Sequence, residues 1–206
     1  MAQLVFEPQT HTYRLDGMVI PSVTQIMKPL SDAEYSAIDP AVLDNAARRG
    51  TAVHAACELY GLYGVADVQP EYQGYIDAFL KWVDQLKPTF IYTERAIWHK
   101  QLLYAGTLDL VAEIGGIKML VDYKTTSQIN DMLTKVQLEA YRRALETHGI
   151  EVEGKAILQL RPNGTFEFRN YKSPDFEAWD VFTSLLKVRG YINKFKEENH
   201  HGSQSK

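Results

Sequence analysis

Residues 104–124 constrain this chain more than any other stretch. They read as two strands joined by Gly115-Gly116. That dipeptide is favoured in two-residue hairpin loops because both central positions can require positive φ. If the turn sets the register, Ile114 faces Ile117, Glu113 faces Lys118, Asp109 faces Asp122 and Thr107 faces Lys124. Strict alternation then puts Asp109, Asp122 and Lys124 on one face. Leu108, Leu110, Ala112, Ile114, Ile117, Met119, Val121 and Tyr123 form an apolar opposite face, a wall for helices.

Opposed carboxylates have Cβ atoms about 4.5–5.5 Å apart and repel. A fold keeps such a pair by neutralising it with a cation or by leaving one acid protonated. A hard divalent ion such as Mg²⁺ suits carboxylates together with a substrate phosphate. Lys124 beside them can hold a water or stabilise developing charge. The plainer alternative is a solvated strand face on which Lys124 offsets two acids.

The totals restrict what such a site can serve. A chain of 206 residues, 45% hydrophobic and 23% charged, fits one domain with a full core. We expect a unit over 1–198, with residues 1–30 as a hairpin appendage and 40–198 as its core, and a disordered tail at 199–206. No apolar run reaches the roughly 18 residues of a membrane span, and the N-terminus lacks the pattern of a signal peptide. The expected location is therefore cytoplasmic, without a membrane partner. The single cysteine, Cys57, cannot alone hold an iron–sulfur cluster or a structural zinc. A net charge of −4 argues against a strong non-specific nucleic-acid binder but not against an enzyme with a local basic groove.

Around the central hairpin, punctuation residues divide the chain. Asp16-Gly17 turns a short N-terminal hairpin over 4–24, and Ser22 caps a short helix that Pro29 ends. Residues 31–39 form a loop or short helix. Pro40 opens a helix over 41–60 on which Gly50, His54 and Glu58 are spaced by four and share a face, so Glu58 can orient the imidazole. A lone helical histidine also serves simply in packing. Arg48 and Arg49 are candidates for phosphate contacts or plain solvated charge. After a loop over 61–70, an amphipathic helix runs over 71–86 and a strand over 90–99, where Glu94 is a third acid near the site or a partner for a surface base. A helix over 130–147 carries Gln137 and Tyr141 one turn apart. A hairpin over 155–171 and a helix over 175–196, opened by Pro174, complete the chain.

In order, these features are a helix with Gly-x-x-x-His, a strand with Glu, then Gly-Thr-Leu-Asp, a hairpin, Asp-Tyr-Lys-Thr, and a helix with Gln-x-x-x-Tyr. The set resembles the PD-(D/E)XK nuclease superfamily, within it the RecB-type branch of phage and mitochondrial exonucleases, from about Arg48 to Tyr141. His-x-Tyr-x-x-Asp-Gly and Pro-Ser-Val-Thr near the N-terminus are similar to phage-borne members. Leu108, not proline, precedes Asp109, as is common in this branch.

The resemblance implies an α/β (α+β) restriction-endonuclease-like core, a central mixed β-sheet flanked by helices. It implies His54, Asp109, Asp122 and the Tyr123 carbonyl as metal ligands, and Asp109, Asp122, Lys124, Gln137 and Tyr141 as catalytic residues. Glu94 and Glu58 would support them, and Arg48, Arg49, Thr51, Thr125 and Arg142 would bind substrate. One or two Mg²⁺ or Mn²⁺ ions, and no iron–sulfur cluster, would serve phosphodiester hydrolysis, with Lys124 positioning the attacking water. Implied partners are DNA, as single strands or ends, and a phage recombination or single-strand-binding protein. An exonuclease in recombination or repair is the leading reading. A structure-specific endonuclease and a catalytically silent scaffold binding DNA or a recombination partner are the alternatives.

Overall fold

A computed structural model describes residues 2–202 of the chain, with side chains described through Lys196. Strands β1 (Leu4–Glu7), β2 (Thr12–Leu15) and β3 (Met18–Ile20) form an antiparallel sheet of their own. Helices α1 (Val23–Ile26), α2 (Lys28–Tyr35), α3 (Pro40–Tyr63) and α4 (Gln73–Leu86) follow. Then come β4 (Thr89–Trp98), β5 (Ala105–Ile114), β6 (Ile117–Lys124), α5 (Asp131–Thr147), β7 (Gly154–Leu160), β8 (Phe166–Tyr171) and α6 (Phe176–Gly202). The second sheet has the order β4-β5-β6-β7-β8. All its neighbours are antiparallel except β6 and β7, which are parallel and joined through α5. The expected mixed sheet flanked by helices is thus the one observed.

Most helix boundaries follow the punctuation. Ser22 closes a capping box with Gln25 on α1, and the Asp39 side chain caps α3. Two breakers do not break. Pro29 lies in the first turn of α2, where its missing N–H has no partner to lose. Gly61 continues α3, which ends only at Gly64 with φ 71°. At the other end α6 continues to Gly202, past the expected limit at 196, while residues 203–206 of the expected tail lie outside the described residues.

The Gly115-Gly116 turn behaves as its composition demands, with φ of 60° and 81°. It fixes the expected register, Ile114 on Ile117 through Leu110 on Val121. Beyond Leu110 the ladder stops, so Thr107 does not pair with Lys124; it pairs with Ala96 on β4 instead.

Most of the expected apolar face of β5 and β6 is observed, without Leu108: Leu110, Ala112, Met119, Val121 and Tyr123 share one core, with Ile114 against it, but the opposite face is not polar. Met119, Leu120 and Val121 are buried in succession, because both sides of this sheet are covered. Leu108, Val111 and Leu120 join one core with Leu138, Tyr141 and Leu145 of α5 and Phe182 of α6. Leu110, Ala112, Val121 and Tyr123 join another with Val53 of α3 and Phe79 and Trp82 of α4. The helices bearing His54 and Gln137-Tyr141 therefore pack on opposite faces, not on one wall. Burying Phe79 and Phe182 contributes roughly 1.5–3 kcal/mol each to these two layers.

Alternation also slips in two adjacent strands. Tyr92 and Ile97, five residues apart on β4, share a core, as do Leu108 and Val111, three apart on β5. Leu108 and Leu110 lie in different cores. The slip coincides with a bulge between Phe90 and Tyr92 and with Glu94, whose φ is 42°. A bulge or left-handed residue inside a strand locally disrupts the ladder and its alternation. The irregularity falls at Glu94 and opposite it at Asp109.

Candidate active site

The site lies where β5 and β6 part. Asp109 Oδ2 accepts the Tyr123 backbone N–H at 2.6 Å. Asp109 Oδ1 faces His54 Nδ1 at 3.4 Å, and Glu94 Oε1 faces the same nitrogen at 3.5 Å. The other ring nitrogen of His54, Nε2, is 3.1 Å from the Tyr123 carbonyl oxygen. A proton on Nε2 donated to that carbonyl leaves Nδ1 directed at the two acids. His54, Glu94 and Asp109 each offer a ligand atom within 4.8 Å of the others.

Asp122 and Lys124 belong to the other side of the parting. Lys124 Nζ lies 2.7 Å from Asp122 Oδ2 and donates to Gln137 Oε1 on α5 at 3.1 Å. The lysine sits too obliquely to satisfy Asp122 Oδ2, which is buried without a hydrogen-bond partner among the described residues, as is Glu94 Oε1. The Glu94 and Asp109 carboxylate oxygens converging on one histidine nitrogen are what a hard cation with mixed oxygen and imidazole ligands requires. The residues present fit a divalent ion.

The charges are interdependent. Burial pulls the His54 pKa down, but the charge and hydrogen bond of Asp109, then those of Glu94, raise it to about 10. Burial works to raise Asp109, yet His54 and the Tyr123 N–H hold it below the usual carboxylate range. Burial also pushes Glu94 and Asp122 up; His54 opposes this at Glu94, Lys124 opposes it at Asp122, and the charge of Asp109 adds to it at both. Burial lowers Lys124, but Asp122 more than restores it. Lys124 therefore keeps its charge beside Asp122.

Other expected residues divide clearly. Tyr141 and Thr51 line a cleft of about 540 Å³ beside His54 and Glu94. Arg49 Nε donates to Thr125 Oγ1 at 3.3 Å, next to the end of β6. Arg48 is exposed and paired with Asp44 at 3.3 Å. Glu58 lines the same cleft but does not orient His54, whose ring partners are Asp109, Glu94 and Tyr123. Arg142 is not available to substrate: it is buried and donates through Nε and Nη2 to Glu139 at 3.0 and 2.8 Å. Glu139 also holds Arg143 and Lys155, so Arg142 serves a structural ion cluster.

Glu94, read from the sequence as a supporting residue, stands level with His54 and Asp109, whereas Asp122 lies outside that trio. The N-terminal hairpin is also closer than an appendage. Tyr13 Oη and Thr107 Oγ1 share a 2.8 Å hydrogen bond, and Ala105 N donates to Pro21 O. Both contacts span more than eighty residues, beyond the reach of local pattern.

No family model matches the chain, and no curated protein matches it in sequence. Among solved structures, it is similar in fold to an alkaline exonuclease (LHK-Exo) from Laribacter hongkongensis, with a TM-score of 0.47 at 8% identity, covering 73% of this chain and 81% of that one. LHK-Exo in complex with dAMP gives a TM-score of 0.47 at 9% identity, over 88% and 94% of the two chains.

Proposed function

We propose that this protein is a metal-dependent DNA nuclease, acting as an exonuclease on single strands or DNA ends. The observation that carries the reading is the convergence of His54, Glu94 and Asp109 beside the buried Asp122–Lys124 pair. The ordered motifs that resemble the RecB-type branch supply the reaction class.

His54, Glu94, Asp109 and Asp122 would hold Mg²⁺ or Mn²⁺, which supplies Lewis-acid charge to a phosphodiester and lowers the pKa of a water. Lys124, fixed between Asp122 and Gln137, presents its charge to a phosphate oxygen or an attacking water. The Gln137 carbonyl accepts from Lys124 and its amide end hydrogen-bonds the Tyr141 side chain, so the pair steadies the lysine from α5. Tyr141 also lines the hairpin cleft, where its ring would border the strand. Arg49, steadied by Thr125, is placed to guide a phosphate, and binding weakens with salt accordingly.

The test is degradation of end-labelled single- and double-stranded DNA with Mn²⁺ and with chelator, beside Asp122→Ala and Lys124→Ala. The expected result is metal-dependent cleavage that both substitutions abolish, with linear but not circular DNA consumed. Full activity in either variant overturns the site. No cleavage of any nucleic acid by the parent favours a DNA-binding scaffold.

A further inference from the structure

The clefts flanking the parting of β5 and β6 differ in charge. The cleft of about 340 Å³ on the α5 side holds Lys124 and Gln137, and the neighbouring one of about 560 Å³ holds Arg49 with a single acid, Glu34. Among the described residues, the cleft of about 540 Å³ between the N-terminal hairpin and α3 has no lysine or arginine in its lining; beside His54 it carries the acids Glu58 and Glu94. Its hairpin wall is aromatic. Phe6 and Tyr13 are stacked with centroids 4.6 Å apart, and His11 stands edge-on to both at 5.2 and 5.9 Å.

We propose that this hairpin cleft is a nucleobase subsite, which takes an unpaired base next to the phosphate held at the metal centre. The proposal rests on the nuclease reading above and assigns the two halves of a nucleotide to the two flanks. Phosphates follow cations, so the backbone runs over Lys124 and Arg49. A base presents an apolar face and polar edges, so it enters the aromatic-walled cleft, where two acids stand beside the His54 imidazole. Phe6 and His11 supply ring surface, and the Thr51 hydroxyl and Glu58 carboxylate supply edge partners.

The hairpin's packing separates this role from a purely structural one. Tyr13 is buried with Leu15, Ile20 and Ala105, and forms the hairpin's own core. Phe6 is only partly buried and His11 is exposed, yet both border the cleft. The Tyr13–Thr107 hydrogen bond ties the ring stack to β5 two residues before Asp109, so the platform is positioned by the strand that carries the metal ligand. A base held in a duplex cannot enter such a cleft. The subsite therefore selects single strands and frayed ends.

The test is fluorescence anisotropy with Ca²⁺ in place of Mg²⁺, using a labelled oligothymidylate of about eight nucleotides and the same backbone with abasic residues. The parent should bind the abasic strand on the order of tenfold more weakly. Phe6→Ala and His11→Ala should weaken binding of the thymidylate alone and erase that difference, and Phe6→Trp should restore it. Arg49→Ala should weaken both strands equally. His11, being exposed, keeps the test open if Phe6→Ala fails to fold. Equal binding of the two strands by the parent, binding of neither, or an equal loss on both strands in His11→Ala overturns the subsite. Cleavage of single-stranded DNA with Mn²⁺, measured alongside, separates the two readings. Cleavage without base dependence removes the subsite alone. Base-dependent binding without cleavage by the parent removes the nuclease reading alone.

Discussion

Asp109 and Tyr123 are joined across the parting of β5 and β6, the carboxylate accepting the tyrosine's backbone N–H at 2.6 Å where a strand carbonyl would otherwise accept it. The side chain replaces a rung of the ladder and holds the gap open. It also spends only one carboxylate oxygen on structure, which leaves the other directed at His54. Asp109→Asn keeps an amide oxygen for the Tyr123 N–H and loses the charge. The expected outcome is a folded protein, by circular dichroism, whose Mn²⁺ affinity measured calorimetrically falls by more than about tenfold.

Gly106 faces Tyr141 across the sheet and α5. A Cβ at Gly106 would stand 2.5 Å from the Tyr141 ring, a distance that real contacts do not tolerate. Gly106→Ala should therefore destabilise the protein by about 1–3 kcal/mol in urea unfolding and displace Tyr141 from the cleft. Combining it with Tyr141→Leu should recover part of the stability. An additive double variant would contradict the contact.

Glu139, fully buried, gathers Arg142, Arg143, Lys155 and the Asp175 backbone N–H. Burial raises its pKa, but the hydrogen bonds of Arg142 and Lys155 and the charge of Lys155 bring it below 4.5. The stability it contributes is thus present above pH 4.5 and lost as pH falls through the lowered folded value. Glu139→Gln should cost about 3–5 kcal/mol at pH 7, because three cations lose their carboxylate. The parent's advantage over the variant should shrink on acidification below pH 4.5.

His99 gives a second, separate pH window. Its Nδ1 accepts from the backbone N–H of Gln101 and of Leu102 at 3.3 and 3.2 Å, which requires the neutral ring. Burial first, and then the charge of Arg143, lower its pKa from 6.5 to about 4. The unfolded chain binds a proton below pH 6.5 that the folded protein refuses until about pH 4. Stability should therefore fall across that window as pH drops, by on the order of 3 kcal/mol. Urea midpoints taken across the window should show this slope in the parent and a flatter line in His99→Asn.

Arg49 and Arg142 should respond oppositely to alanine. Arg49→Ala should weaken DNA binding across sequences and reduce the salt slope by about one counterion, with little loss of stability. Arg142→Ala should leave the salt slope unchanged and lower the unfolding midpoint. A change of slope in Arg142→Ala would return that residue to the substrate path.

The sequence by itself determined much of this molecule. Local rules set the Gly115-Gly116 turn and its register, the Asp39 and Ser22 caps, the helix carrying His54 and the hairpin over 155–171. Each depends on residues within a few positions of one another, where backbone sterics and hydrogen bonding suffice. What alternation misjudged was the side on which Leu108 emerges. The slip falls opposite the left-handed Glu94 of the neighbouring strand, a pairing that the β5 pattern does not show. Nor could spacing separate Arg49 from Arg142, which are both helical arginines, one beside Thr125 and the other facing a buried glutamate on its own helix. Only the tertiary structure decided that His54 and Gln137 approach the parting of β5 and β6 from opposite faces of the sheet. It alone brought Glu94 level with Asp109 and set Tyr13 against Thr107. These are meetings of residues far apart in the chain, fixed when both faces of the sheet are covered and not before.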